Sequence, residues 1–254
     1  MQTAIDSVAA VILAAGMGTR MKSNKAKVLH EIIGRPMVMY VVETARKVVG
    51  NNVVLVIGNQ ADKIKKIVSE RTDVIFAIQE KQLGTGHAVL CAQLYIPEHT
   101  DQVVILCGDV PLITNYTLMR LIDDHIKAMR DISILAVEID NPKGYGRILL
   151  DEDRNVTGIV EEADATEEQK GIKTINTGIY CVKKDYLFDS LKKIKSDNVQ
   201  GELYLTDIIG IGYKEGKNIG VLVGTDIEEV IGVNNREDLK KAEIIMRKRL
   251  YKTS

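Results

Sequence analysis

Four short runs dominated by Val, Ile and Leu recur along the first half of the chain: "SVAAVILAA" (7–15), "NVVLVIG" (52–58), "DVIFAI" (73–78) and "QVVILCG" (102–108). The stretches around them, 36–49, 60–70, 86–96 and 115–129, instead place apolar residues at helical spacing with charges on the opposite side. Near-continuous apolar strands alternating with amphipathic helices predict a parallel sheet covered on both faces, hence an α/β fold. Pro36 suits the first turn of a helix, and Thr114 or Asn115 suits a helix cap after the fourth strand.

Beyond about residue 131 the rhythm changes. "DISILAVEI", "GRILLDEDRNVTGIVEE" and "TINTGIYCVK" read as strands joined by hairpins, with "EDRN" as a turn. They are expected to extend the sheet and fold a lobe over it. A helix from about Arg236 to Tyr251 closes the pattern, and no repeat, low-complexity tract or linker interrupts it.

Composition narrows the class. Of 254 residues, 45% are hydrophobic and 27% charged, which excludes a disordered chain. A formal net charge of −1 gives no basic surface for a nucleic-acid backbone. Cys91, Cys107 and Cys181 are odd in number, widely spaced and set among apolar neighbours. They read as reduced core residues of a cytoplasmic protein. The apolar run at Val8–Ala15 is too short for a membrane span and lacks the basic flank of a signal peptide.

The candidate chemistry starts where the first strand ends. In "VILAAGMGTRMKSNKAKVLH" (11–30), Gly16 and Gly18 remove side chains from a turn, and Arg20, Lys22, Lys25 and Lys27 bring positive charge to it. Ligands of open α/β sheets bind beyond the carboxyl ends of the strands, so a polyphosphate is the expected guest. The dinucleotide fingerprint would need a small residue where Met21 stands and an acid where "IGNQ" has none; the Walker loop would need Gly-Lys-Ser/Thr.

Nine blocks from residue 13 to residue 236 carry a wider resemblance: "LAAGMGTRM", "KVLH", "QLGTGHA", "GDVPL", "GYGRI", "GIVEE", "INTGIY", "GELYLTDII" and "GVNNR". The chain resembles the sugar-1-phosphate nucleotidyltransferases, and within them the N-acetylglucosamine-1-phosphate uridyltransferase domain of the bacterial bifunctional uridyltransferase/acetyltransferases. The resemblance implies a Rossmann-like, mostly parallel sheet flanked by helices, with a β-rich sugar-binding lobe. It implies a nucleotidyltransferase domain over 1–235 followed by a C-terminal helix over 236–254, without the left-handed β-helix acetyltransferase domain. Acetyl transfer is therefore not expected.

The resemblance also assigns residues. It implies that the main chain of Leu13, Ala14, Ala15, Gly16 and Gly18 holds UTP, with Arg20 and Lys27 on its phosphates. Gln79, Gly84 and Thr85 match the base-reading segment, whereas His87 reads as structural. Asp109, at a strand's carboxyl end, suits a hard cation; the resemblance pairs it with Asn234 to hold Mg²⁺. Cys107, Gly108, Gly146, Glu161, Asn176 and Tyr204 match sugar-binding positions, with Glu202 and Thr206 in the same wall.

Two departures stand out: Ala26 where the family commonly has proline, and Cys107 where it often has an aromatic residue. The implied reaction joins UTP and N-acetylglucosamine 1-phosphate into UDP-N-acetylglucosamine. A different sugar 1-phosphate and a non-turning nucleotide-sugar sensor are the alternatives. The expected state is a cytoplasmic monomer or weak oligomer that binds neither nucleic acid nor membrane.

Overall fold

The structure, a computed structural model, describes residues 7–252. In chain order the first half runs β1 (Val8–Ala14), the short pair β2 (Glu31–Ile32) and β3 (Arg35–Pro36), α1 (Met37–Val49), β4 (Val53–Ile57), α2 (Ala61–Ser69), β5 (Ile75–Ile78), α3 (Thr85–Ala92), β6 (Gln102–Cys107) and α4 (Asn115–Lys127). The second half adds β7 (Ile132–Glu138), β8 (Gly146–Leu150), β9 (Val156–Val160), α5 (Glu167–Lys170), β10 (Thr174–Lys183), α6 (Lys184–Leu191), α7 (Asp207–Lys214), β11 (Ile219–Val223) and α8 (Arg236–Lys252).

The main sheet has the order β11-β7-β10-β6-β1-β4-β5, with the β8/β9 hairpin attached to β10. β6, β1, β4 and β5 are mutually parallel. Side chains alternate across a strand, and β1 shows both faces filled. Val8, Ala10, Ile12 and Ala14 pack with α1, α2 and α4 through Val42, Ile64 and Leu118. Val11 packs on the other face with Val89 of α3, Leu187 of α6 and Ile208 of α7. This double burial is why these strands read as unbroken apolar runs.

Several boundaries differ from the expectation. Pro36 ends β3 and precedes α1, rather than lying in its first turn. α3 stops at Ala92, and a single 3₁₀ turn covers Gln93–Tyr95, where Leu94 points to solvent. Thr114 caps α4, its hydroxyl accepting from the Thr117 N–H at 3.2 Å.

Among the expected hairpins only β8/β9 forms, closed by the 151–155 turn in which the Asn155 N–H donates to Asp151 Oδ1 at 2.8 Å. β7 instead lies between β10 and β11, because β10 enters antiparallel between β6 and β7. Among the described residues no helix is long and apolar enough to cross a membrane.

Candidate active site

The loop after β1 is anchored at both ends. The Leu13 carbonyl accepts from Gly108 N–H at 2.9 Å, the Ala15 carbonyl accepts from Asn59 N–H at 3.2 Å, and Met21 is fully buried. Gly18 has φ +64°, and a Cβ there would overlap the Cβ of Lys27. Glycine at this position therefore lets the loop close over the stem of Lys27. Gly16 has open space where a Cβ would go.

Lys27 reaches across the loop to the end of β6 and forms an ion pair with Asp109. Its ammonium is also 3.4 Å from Asn234 Oδ1, which accepts a 2.8 Å hydrogen bond from Arg20 Nη2. The side chains of Lys27 and Asp109 are only 17% and 18% exposed, so this pair is shielded more than an ordinary surface bridge. Asn234 is brought here by the backbone: the Val233 N–H donates to the Asp109 carbonyl at 2.8 Å, and the Asn234 N–H donates to Asp238 Oδ2 at 3.0 Å.

The donor set suits a hard cation, since a carboxylate and an amide oxygen already converge on the lysine's positive charge. Among the described residues no group of three or more His, Cys, Asp or Glu side chains could hold a metal. Mg²⁺ is compatible with so sparse a set because it keeps waters and takes phosphate oxygens.

A cavity of about 480 Å³ opens beside this cluster. Leu13, Ala14, Ala15, Gly16, Gly18, Lys27, Gln79, Gly84, Thr85, Cys107 and Asp109 all line it, together with Met17, Gln82 and Glu202. Gln79 is buried, and its Nε2 donates to the Gly84 carbonyl at 3.1 Å and lies 3.1 Å from His87 Nδ1. His87 thus orients Gln79 from the first turn of α3. Gly84 has φ +114°, and a Cβ there would come within 2.6 Å of the Leu203 carbonyl. Thr85 Oγ1 accepts from Leu205 N–H at 3.0 Å, tying this turn to the 202–205 segment.

The residues matched to the sugar form a second cluster. Gly146 pairs with Asn176, and a Cβ on Gly146 would lie 3.3 Å from Glu161 Oε2. The Thr206 hydroxyl donates to Glu161 Oε1 at 3.2 Å. Asn176 Oδ1 accepts from the Tyr180 hydroxyl at 2.9 Å and from Gly178 N–H at 3.1 Å. Burial holds the Glu161 carboxyl above its usual range; Asp164, Asp207 and Glu202 reinforce this, and the Thr206 bond opposes it. Burial likewise raises the Tyr204 phenol.

Gly146, Glu161, Asn176 and Tyr204 do not line the 480 Å³ cavity, and neither does Gly108, whose N–H is bonded to Leu13. Cys107 lies between the two regions: it lines the cavity, and its Sγ is 3.6 Å from the Gly178 carbonyl. Burial, with help from Asp109, pushes its thiol up to about 12, so it is a neutral wall residue.

Residues 9–230 match the family model described as nucleotidyl transferase. The chain belongs to the nucleotidyl transferase family. It is similar to the bifunctional protein GlmU of Geotalea uraniireducens, with 46% identity over 98% of this chain and 54% of that protein. Against the bifunctional protein GlmU of Caldanaerobacter subterraneus subsp. tengcongensis the identity is 46% over 97% of this chain and 53% of the relative. The chain thus spans about half the length of the curated relatives it matches. Among solved structures, HddC from Yersinia pseudotuberculosis, complexed with GMP-PN, superposes with a TM-score of 0.68 at 25% identity, covering 93% of this chain and 98% of that one.

Three neighbours of this candidate site escaped the sequence reading. Gln82 lines the cavity and donates to the Gln79 carbonyl at 3.2 Å. Asp238 holds the backbone of Asn234. Burial raises the Tyr145 phenol, the charges of Asp238 and Asp109 add to this and Arg20 opposes it; Tyr145 and Asp238 line one neighbouring cavity. Asp238 carried a signal, being an acid in the first turn of a helix; Gln82 and Tyr145 fall inside the "QLGTGHA" and "GYGRI" blocks, but nothing in those blocks singled them out.

Proposed function

We propose that this chain transfers UMP from UTP to N-acetyl-α-D-glucosamine 1-phosphate, releasing pyrophosphate and UDP-N-acetylglucosamine. The observation that carries the reading is the convergence of Arg20, Lys27, Asp109 and Asn234 at the mouth of a cavity whose other wall is the buried Gln79 and the Gly84 turn. The extended similarity to GlmU proteins supports the choice of substrates.

In this reading an oxygen of the sugar phosphate forms a bond to the α-phosphorus, and the bond from that phosphorus to the bridging oxygen breaks in line. The nucleophile is already anionic at neutral pH, so no side chain has to take a proton. Arg20 and Lys27 hold the triphosphate and offset charge gathering on the departing pyrophosphate. Asp109 and Asn234 would hold Mg²⁺, which when bound neutralises phosphate charge as a Lewis acid. The Gln79 side-chain oxygen and the Gly84 N–H, fixed by the bond from Gln79 Nε2 to the Gly84 carbonyl, present an acceptor and a donor to the uracil edge. Glu161 and Asn176 offer oxygen and amide partners to the neutral sugar ring. The same reading puts the protein in the cytoplasm as a monomer or weak oligomer, in keeping with its free cysteines.

The test is pyrophosphate release with UTP, CTP and dTTP against N-acetylglucosamine 1-phosphate, glucosamine 1-phosphate and glucose 1-phosphate. Turnover with UTP and the acetylated sugar is expected. Faster turnover with glucose 1-phosphate or with dTTP would reject the substrate assignment.

A further inference from the structure

Lys27 and Arg20, the cations assigned to the triphosphate, are both bound in this structure to oxygens assigned to the metal. Lys27 pairs with Asp109 Oδ2, and Asn234 Oδ1 accepts from Arg20 at 2.8 Å while lying 3.4 Å from the Lys27 ammonium. The Asn234 oxygen thus faces Arg20 at 2.8 Å and, more loosely, the Lys27 ammonium at 3.4 Å, so a further cation approaching it meets two positive charges. We propose that Lys27 and Arg20 occupy the cation site of the ligand-free chain, and that they must leave Asp109 and Asn234 before a divalent cation can bind. This rests on the reading of Asp109 and Asn234 as the metal ligands.

The geometry allows such an exchange. The stem of Lys27 is fixed where it lies against Gly18, but the ammonium ends a flexible four-carbon chain. Arg20 is exposed and follows the loop of Gly16 and Gly18. Both heads can therefore swing from the oxygens toward the cavity without moving the sheet.

The electrostatics make the two occupancies exclusive. A divalent ion beside a partly buried ammonium is a strong like-charge contact. In the absence of an anion, arrival of the metal strands two positive side chains. A triphosphate removes that cost by giving both of them new partners. Metal and triphosphate are thus coupled through Lys27 and Arg20 as well as through direct contact with each other, and the coupling is reciprocal. The ammonium is delivered to the phosphates only as the metal site fills.

The test uses Mn²⁺ alone, with no nucleotide, followed by electron paramagnetic resonance of the free ion. The wild-type chain is expected to bind weakly. Lys27→Met, which keeps the stem over Gly18, should bind Mn²⁺ about tenfold tighter or more, whereas Lys27→Arg should stay near wild type. Asp109→Ala should lose binding in either background.

If Lys27→Met binds no tighter while Asp109→Ala abolishes binding, the exchange is wrong and the metal site stands. If Asp109→Ala leaves binding unchanged, the metal assignment falls and the proposal with it. A second measurement needs no variant: acetylation of Lys27 by acetic anhydride, read by mass spectrometry, should rise severalfold when Mg²⁺ is added to the wild-type chain. Unchanged labelling at saturating Mg²⁺ would overturn the proposal.

Discussion

The backbone N–H of Val233 donates to the carbonyl of Asp109 at 2.8 Å. That bond joins the segment before α8 to the end of β6, and it sets the next residue, Asn234, beside the Asp109 side chain. The two oxygens are therefore registered by main chain, with the Asn234 N–H further held by Asp238.

Asp109→Ala should lower turnover at least about a hundredfold, and Asp238→Ala, which removes only the support of Asn234, about tenfold to a hundredfold. Steady-state kinetics across a Mg²⁺ titration checks this. Asp238→Ala should recover partly at high Mg²⁺ because both metal oxygens remain, and Asp109→Ala should not. Equal, unrecoverable losses would show that Asp238 does more than position Asn234.

The two glycines of the loop after β1 should respond differently. Gly18→Ala forces a left-handed φ on a residue with a Cβ and drives that Cβ into Lys27. It should cost about 1–2 kcal/mol of stability from the backbone alone, and displace the lysine as well. Gly16→Ala meets open space and should change stability by no more than about 0.5 kcal/mol, so any loss of turnover there reports crowding of the ligand. Urea denaturation of both variants separates the cases.

How much of this was legible depended on where the information lay. The parallel strands were readable because burial on both faces of β1 and β4 leaves an unbroken local signature. The loop after β1 stood out as a candidate phosphate site because Gly16, Gly18, Arg20 and Lys27 fall within a dozen residues. The order of the second half was not, because β10 pairs with β6 and β7 rather than with its sequence neighbours. Local pattern says nothing about such pairings, and it could not show that Asp238 would hold the Asn234 backbone or share a cavity wall with Tyr145. The pairing of Asp109 with Asn234 came from family resemblance; the Val233 bond supplies its physical basis.

Ala26 stands where the resemblance leads us to expect proline, and its backbone has a φ of −52°, inside the range a proline ring imposes. The approach of Lys27 is thus set by the fold without the ring. Ala26→Pro should raise stability by about 0.4–1 kcal/mol through the unfolded chain, with turnover unchanged. A fall in the urea midpoint would mean that the segment before Lys27 cannot accept the ring.

His125 provides a pH test remote from the site. It is fully buried in α4, with Nδ1 2.8 Å from Ser133 Oγ and Nε2 2.9 Å from Gln102 Oε1. Burial, helped by the nearby Arg130 and Lys183, lowers its pKa to about 4, so the folded chain holds it neutral. In the unfolded chain the ring protonates near its ordinary value of about 6.5. Between those two values the unfolded state binds more protons, so this contribution to stability is complete above about pH 6.5 and declines as the pH falls toward 4. Urea denaturation at pH 7.0 and 5.0 should show the wild-type chain losing stability on acidification. His125→Gln, although less stable at pH 7.0 for want of the ring, should lose less between the two pH values. An unchanged difference in the variant would assign the acid sensitivity to other groups.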